Sequence, residues 1–355
     1  MSVASGETAS RTSPSGPAPN RGRALRDGGL GLAQRVMTLR EASIVVVILV
    51  TFAYFAITTS NYLTGSNFKA LLPYFCFLAI MAVGQVFVMT LGEIDLSIGA
   101  HYLFTPILYW KFNTAGLPLL PSLILALVVA AALGGVSGVF TAYVGIPSFV
   151  ATLAMLFFLD GLALILTHSQ QVTTPGASIS GLHVGTFTKV FGEGTYSELI
   201  WALGLAALLQ VALSFTRWGI YTVATGGNRL GAAEAGIHTR FVIVRNFVLC
   251  ATTAGFAGVL ESVRTSSITP DPSGSNQFLL YAVAAVIIGG TLMTGGEGTV
   301  VGALLGALFI GLLQDGLTVK GVSATYEDLY IGIAVIIAMV IYVLVRRVRL
   351  RSGRA

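Results

Sequence analysis

Long apolar runs recur along most of this chain and limit its fold more than any other feature. Hydrophobic residues make up 55% of the 355 residues, charged residues only 10%, and the mean hydropathy is +0.83. A soluble domain cannot bury this much apolar surface, whereas about 20 consecutive apolar residues suffice for a helix to cross the hydrocarbon core of a bilayer. The runs are continuous and do not alternate, which argues against a transmembrane barrel of strands. The sequence therefore predicts an all-α polytopic membrane protein.

About ten of these runs are candidate membrane spans. They cover residues 43–60, 69–91, 96–112, 119–142, 147–167, 197–216, 246–263, 278–293, 298–317 and 327–345. The preceding residues, 1–42, are rich in Ser, Pro, Gly and Arg and show no apolar period, so we expect a disordered basic tail there. We expect a transmembrane domain at 43–346, with its longest internal loop at 217–245, and a second basic tail at 347–355.

The arginines predict the orientation of these spans. If the amino terminus is cytoplasmic, fifteen of the sixteen arginines fall on the inside, and only Arg264 lies toward the outside. This is the positive-inside pattern of cytoplasmic-membrane proteins. Both ends of the chain carry arginine clusters, so we expect both termini in the cytoplasm and an even number of spans. The basic carboxyl end, RRVRLRSGR, follows the same rule and does not indicate nucleic-acid binding.

No catalytic motif is present in the sequence. It contains no GxxxxGK[ST] loop, no HExxH and no GxSxG, and its four histidines lack the spacing of metal ligands. Cys76 and Cys250 lie in apolar runs and are interpreted as buried small side chains. We therefore expect a protein that moves a solute or an electron carrier, or one that holds partners, and ionisable residues within the spans should mark the route. The candidates are Glu93, Asp95, Asp160, Glu261, Glu297 and Asp315.

The stretch LGEIDLSIGA at residues 91–100 places two carboxylates and two glycines between apolar runs. Glycine weakens a continuous helix and allows helices to approach closely, which applies to Gly99. In the simpler interpretation, Asp95 or Ser97 accepts hydrogen bonds from the free amides that open the third span. In the alternative, a broken helix lines the solute path. The arginine-based topology puts this turn toward the cytoplasm, which favours a structural or gating role.

Four stretches in order resemble the ribose-type permeases of ATP-binding-cassette importers. LGEIDLSIGA is similar to the family's GGIDLSVG element, with Glu93 in place of the second glycine. GNRLGAAEAGIHTRFV resembles the family's cytoplasmic loop. AGFAGVLESVRTSSITPDPSG and LLYAVAAVIIGGTLMTGGEGTVVGALLGALFIGLLQDGL resemble the next two blocks. The resemblance extends over residues 70–345.

The resemblance implies a permease that works as a pair, with a second copy or a paralogue, in the cytoplasmic membrane. A cytoplasmic ATPase subunit, often two ATPase domains in one chain, would use ATP and Mg. An extracytoplasmic binding protein would deliver a pentose, hexose or related polyol. This chain itself would bind no cofactor and no nucleic acid. Two alternatives are importers of branched-chain amino acids or nucleosides, with related permeases, and an ion-coupled secondary transporter.

The internal loop 217–245 is the expected contact with the ATPase. It holds a short Ala-rich segment, residues 230–238, that is suited to a helix docked in a groove. A helix lying on lipid headgroups is the weaker interpretation, since Ala and Gly give little insertion energy. The predicted coupling residues are Asn228, Ala232, Ala233, Glu234, Gly236 and Ile237.

A second set of residues is predicted for the solute path or its gate. The glycine-rich stretch 288–302 contains Gly289, Gly290 and Glu297, and indicates close helix packing or a hinge. Asp160 interrupts an apolar run and must face protein or water. Glu261 has the spacing of an ion pair with Arg264, although either acid could bind hydroxyl groups of a sugar.

Overall fold

The computed structural model describes residues 42–176, 185–194 and 196–351. Within these ranges the chain forms twelve α-helices of six residues or more. They are α1 (Ala42–Thr58), α2 (Gly65–Thr90), α3 (Ile98–Thr114), α4 (Leu119–Val139), α5 (Ser148–Thr167), α6 (Ser197–Phe215), α7 (Arg217–Gly227), α8 (Arg229–Glu234), α9 (Thr239–Thr265), α10 (Pro272–Ile288), α11 (Val300–Val319) and α12 (Ala324–Arg351). A π-helical turn, Phe140–Val144, extends α4, and a helical turn at Thr186–Thr188 runs into another π turn, Lys189–Glu193.

Each run predicted as a span corresponds to a helix, namely α1 to α6 and α9 to α12. In the described ranges, seven helices are long and apolar enough to cross a membrane: α2, α4 with its π turn, α5, α6, α9, α11 and α12. Helices α1 and α10 are apolar but shorter, and α3 has 17 residues. The prediction of an all-α polytopic membrane protein is confirmed.

Polar side chains fix where several of these helices begin. The Thr64 hydroxyl accepts from the Asn67 amide at the start of α2, and the Thr216 hydroxyl accepts from Trp218 at the start of α7. Asp271 precedes α10, whose first residue is proline, which needs no amide partner at that position. These caps satisfy amides that have no partner inside the helix.

Helices α2, α9 and α11 form the centre of the bundle and are the most buried of the seven long apolar helices. Helix α9 packs against α2, α3 and α4, while α11 packs against α1, α2 and α10. Exposed apolar side chains lie mainly on α1, α4, α5, α6 and α12. Such a surface suits contact with lipid or with a second subunit.

The bundle has two ends that differ in structure. One end, here the α8 end, carries the surface helices α7 and α8 together with the end of α2 and the starts of α9 and α11. The other, here the β end, carries an antiparallel pair of two-residue strands, β1 (Val172–Thr173) and β2 (Ser267–Ile268). This pair joins the loop after α5 to the end of α9.

The internal loop 217–245 is mostly helical, which corrects two predicted boundaries. The Ala-rich helix ends at Glu234 and does not reach His238, because Gly236 turns the chain with φ +83°. Helix α9 begins at Thr239, seven residues before the predicted start at 246. Arg240 stacks on Tyr143 in this first part of α9, so a charged residue there is compatible with the helix.

The predicted amino-terminal tail lies outside the described residues except for Ala42. At the carboxyl end, α12 continues to Arg351, and residues 352–355 lie outside the described ranges. Residues 347–351 of the predicted second tail are therefore helical.

Candidate functional site

Residues 91–97, here the re-entrant segment, turn back into the bundle where α2 ends. Gly92 adopts φ +76°, a conformation that a side chain would strain. The Gln85 side chain then donates to the Asp95 carbonyl at 3.4 Å. Gln85 lies five residues before Thr90, the last residue of α2, which corresponds to about 7.5 Å of helix rise. The segment thus begins at the α8 end and reaches into the interior.

Two hydroxyl groups of α5 hold this segment in place. The Ile94 amide donates to the Ser148 hydroxyl at 3.2 Å, and the Leu96 amide donates to Thr152 at 3.0 Å. Ser148 and Thr152 lie one turn apart on α5, so the segment runs alongside that helix. Irregular backbone is therefore paired with protein groups inside the bundle, as it must be at membrane depth.

Asp95 is fully buried immediately before α3. Its Oδ1 atom accepts hydrogen bonds from the Ser97 amide at 2.8 Å and from the Ser97 hydroxyl at 2.6 Å. Ser97 is the N-cap residue of α3, but its side chain makes no bond to the amides of the helix. Asp95 therefore closes the turn before α3, while Ser97 donates its hydroxyl and does not cap.

The Asp95 carboxyl is only partly paired. Within the described residues Asp95 forms no salt bridge, and its Oδ2 atom accepts no hydrogen bond. The Cys250 thiol, which donates to Gln85 at 3.0 Å, lies close to the carboxyl.

Gly99 lets α3 and α10 approach each other closely. A Cβ atom at Gly99 would lie 2.0 Å from the carbonyl oxygen of Ser275. Asp160, on α5, is also buried and lies close to the Ser275 side chain. Two predicted path residues from different helices therefore meet at Ser275, which the sequence did not single out.

Three chain segments meet through their backbones at the α8 end. We call this contact the glycine junction, and it consists of Thr90, Gly226, Gly295, Gly296 and Gly298. A Cβ atom on Gly226 would lie 1.9 Å from the Thr90 carbonyl oxygen, and one on Gly298 would lie 1.9 Å from the Thr90 hydroxyl. The Gly296 amide donates to the Thr90 carbonyl at 2.8 Å. The junction joins the end of α2, the end of α7 and the loop 289–299.

Glycines also bring α10 and α11 together next to this loop. A Cβ atom at Gly289 would lie 2.3 Å from the backbone of Gly302. Gly290 adopts φ +95°, and its carbonyl accepts from the Tyr342 hydroxyl at 3.4 Å. The Glu297 carbonyl accepts from the Leu292 amide at 3.3 Å. The close packing predicted for this stretch is present.

The predicted coupling residues divide into an anchored set and an exposed set. Asn228 caps α8 by accepting from the Gly231 amide at 2.9 Å, Ala232 is buried, and Ile237 packs against the core. The remaining coupling residues, Ala233, Glu234 and Gly236, are exposed. Their neighbour Leu230 is 71% exposed, so α8 presents an apolar side chain at this end of the bundle.

A buried asparagine for which the sequence predicts no role anchors α7. Asn246, on α9, accepts from the Trp218 indole at 2.7 Å and donates to the Thr222 hydroxyl at 3.1 Å. It also donates to the Phe87 carbonyl of α2 at 3.1 Å. One side chain thus links α7, α9 and α2. An amide within an apolar run was the signal that could have identified it.

Glu261 lies at the β end, away from the glycine junction. Arg264 donates to both of its carboxylate oxygens, from Nε at 2.9 Å and from Nη2 at 2.5 Å, so the predicted ion pair is present. A second carboxylate, Glu198 at the start of α6, lies 3.5 Å from Arg264 Nε. Glu198 was not predicted, because it is distant in sequence.

The predicted path residues therefore do not form one site. Asp95, Ser97, Gly99 and Asp160 lie around the start of α3, whereas Gly289, Gly290 and Glu297 border the glycine junction. Across the described ranges, no group of three or more His, Cys, Asp or Glu side chains could hold a metal ion.

The chain is similar to permease components over most of its length. The family model described as branched-chain amino acid transport system / permease component matches residues 67–340. The ribose import permease protein RbsC of Escherichia coli K12 is 32% identical and aligns over 85% of this chain and 94% of that protein. The xylose/arabinose import permease protein XylH of Sulfolobus acidocaldarius is 31% identical over 83% of this chain and 82% of that protein.

A third relative, the L-arabinose ABC transporter permease protein AraH of Azospirillum brasilense, is 31% identical over 93% of both chains. No solved structure matches this chain significantly. The family match covers most of the transmembrane helices, and the relatives align over nearly their whole length. The chain is therefore a multi-pass permease of the cytoplasmic (inner) membrane that belongs to the family described as branched-chain amino acid transport system / permease component.

Proposed function

We propose that this chain is the permease subunit of an ATP-binding-cassette importer for a monosaccharide or related polyol. Relatives named for ribose, xylose and arabinose import support a sugar over a branched-chain amino acid or nucleoside. The observation that carries the proposal is the glycine junction. It connects the exposed surface helices to the end of α2 and the re-entrant segment through backbone contacts. A permease that is driven by a separate motor needs such a connection.

The proposed partners follow from the same assignment. A cytoplasmic ATPase subunit, as one fused chain or two chains, binds ATP and Mg, and this permease binds no cofactor. An extracytoplasmic solute-binding protein delivers the solute, and a second copy or a paralogue completes the pair within the lipid bilayer. The basic ends contact no nucleic acid.

Transport should require ATP hydrolysis by a separate chain. The chain itself carries no nucleotide-binding motif, and one relative is named as the permease of an ABC transporter, so ATP should be hydrolysed by a partner chain. Uptake of radiolabelled ribose, xylose and arabinose into proteoliposomes containing the permease, its ATPase and the binding protein measures this. Uptake by the permease alone under a proton or sodium gradient would instead establish a secondary transporter.

The exposed face of α8 should form the docking surface for the ATPase. Replacing Leu230 with aspartate puts a charge where an apolar side chain would enter a groove, and should weaken ATPase binding about ten-fold or more. Leu230→Met keeps the volume and the apolar character and serves as the control. Co-purification yield and binding affinity measure the effect, and normal binding by Leu230→Asp would refute the assignment. Leu230 is a better test than Gly236, because the φ of +83° at Gly236 strains any substitute.

We further propose ten membrane crossings with both termini in the cytoplasm. Support comes from the ten helices at the predicted runs and from the arginines at the chain ends and in 217–245. The division is a basic tail at 1–42, a transmembrane domain at 43–346 and a basic end at 347–355. In a variant with Cys76 and Cys250 replaced by serine, single cysteines at Ser2 and Ala355 should resist a membrane-impermeant thiol reagent in intact cells. Labelling of either from outside contradicts this topology.

Asp95, Ser97, Gly99 and Asp160 are proposed to act in the gate of the solute path. Gly289, Gly290 and Glu297 would serve the hinge beside the glycine junction, and Glu261 would line the path at the β end. The support is geometric: the first group surrounds a broken region of helix inside the bundle, where a small displacement changes several buried contacts. Substitutions at Asp95 and Gly99, with transport and stability measured on the same samples, test this assignment.

A further inference from the structure

Glu93 and Arg229 form an ion pair between two regions that lie far apart along the chain. The Arg229 Nη2 atom lies 2.5 Å from the Glu93 Oε1 atom, and the two residues are 136 positions apart in the chain. Glu93 belongs to the re-entrant segment, and Arg229 is the first residue of α8. The pair therefore bridges the interior segment and the surface helix directly.

The two side chains differ in exposure, so the Glu93 carboxylate depends on the ion pair more than the Arg229 guanidinium does. The Glu93 side chain is 13% exposed, whereas that of Arg229 is 47% exposed. A carboxylate largely removed from water needs a counter-charge, and loss of that charge leaves it unpaired. Within the described residues, Arg229 is the one salt-bridge partner of Glu93. Arg229 therefore restrains the position of Glu93 more than Glu93 restrains the position of Arg229.

Both partners lie beside residues that are held by hydrogen bonds or by close backbone contacts. Arg229 follows Asn228, which caps α8, and Gly226 presses against Thr90 in the glycine junction. Glu93 directly precedes Ile94, whose amide is bonded to α5. A displacement of α8 therefore reaches the re-entrant segment by two routes, the backbone contact of the junction and the ion pair.

We propose that Glu93 and Arg229 are a positioning pair that transmits movement of α8 to the re-entrant segment. In this role the pair sets how much solute is moved for each ATP hydrolysed. The inference rests on the proposed function, since it assumes that an ATPase moves α8. It goes beyond that function by naming the side chains through which the movement reaches the interior.

Two simpler roles make different predictions. An exposed surface ion pair that contributes little would leave both stability and transport unchanged when it is removed. A direct contact of Arg229 with the ATPase would weaken complex formation in Arg229→Gln and leave Glu93→Gln without effect. A transmitting pair requires that both single variants behave alike and that they are not additive.

The experiment uses the full complex of permease, ATPase and binding protein in proteoliposomes. Glu93→Gln and Arg229→Gln should each lower solute moved per ATP hydrolysed by about five-fold or more, the lower end of typical coupling between sites. Complex yield and ATP hydrolysis should stay near those of the unaltered complex. The double variant should be no worse than either single variant, and the exchanged pair Glu93→Arg with Arg229→Glu should recover at least part of the ratio. As a control, Lys69→Gln removes an exposed positive charge near the start of α2, at the opposite end of that helix from the glycine junction, and should change nothing.

Two results would overturn the inference. The first is an unchanged ratio of solute to ATP in both single variants, and the second is additive losses in the double variant. A failure of the proposed function is distinguished from these, because the unaltered complex would then show no ATP-dependent uptake at all. A loss of complex in Arg229→Gln alone would assign Arg229 to the ATPase interface and not to a positioning pair.

Discussion

Alanine at Gly99 should strongly destabilise the bundle, whereas alanine at Gly204 should be tolerated. The added Cβ at Gly99 would lie 2.0 Å from the Ser275 carbonyl oxygen, so α3 and α10 would have to move apart. Overpacking costs about 1–3 kcal/mol where side chains can adjust, and we expect at least the upper end here because the obstacle is backbone. Gly204, in α6, has nothing within 4 Å of a built Cβ, and alanine there should gain about 0.5–1 kcal/mol of helix stability.

Thermal unfolding of the two detergent-solubilised variants, followed by size-exclusion chromatography, measures the difference. The midpoint for Gly99→Ala should fall by many degrees, and Gly99→Leu should not yield a folded protein. The midpoint for Gly204→Ala should stay level or rise. Equal midpoints for the Gly99 and Gly204 variants would show that α3 and α10 do not approach as closely as the structure has them.

The helices could be predicted from sequence because each depends on a local run of apolar residues. The start of α9 was placed seven residues late because Arg240 and Arg245 interrupt the apolar pattern. Both arginines remain compatible with a helix, since Arg240 stacks on Tyr143 and Arg245 stacks on Trp218. A hydropathy count cannot detect an aromatic partner that only the fold brings close to an arginine.

The site was only partly predictable, because its decisive contacts join residues far apart in the chain. The glycines of 226–227 and 295–298 were present in the sequence, but nothing local shows that both meet Thr90. Asn246 and Glu198 had no predicted role, since their partners lie on other helices. Either Asp95 or Ser97 was expected to accept from the amides that open α3, and it is Asp95 that accepts, from the amide and the hydroxyl of Ser97.

Asp95→Leu should lower stability or stop the transport cycle, while Asp95→Asn should be mild. Leucine removes the oxygen that accepts from the Ser97 amide and hydroxyl, and leaves both donors buried without their partner. An unpaired buried donor costs about 1–3 kcal/mol. Asparagine keeps a carbonyl oxygen in the same place, so the Ser97 amide and hydroxyl retain an acceptor.

Stability and ATP-driven transport of both Asp95 variants, measured on the same preparations, separate the structural role from direct contact with solute. A structural or gating carboxyl predicts that transport falls together with stability in Asp95→Leu and survives in Asp95→Asn. A group that binds solute or a proton through its charge predicts a fully stable Asp95→Asn that no longer transports. That second pattern would contradict the structural role, because the amide retains the hydrogen bond from Ser97 that the turn before α3 requires.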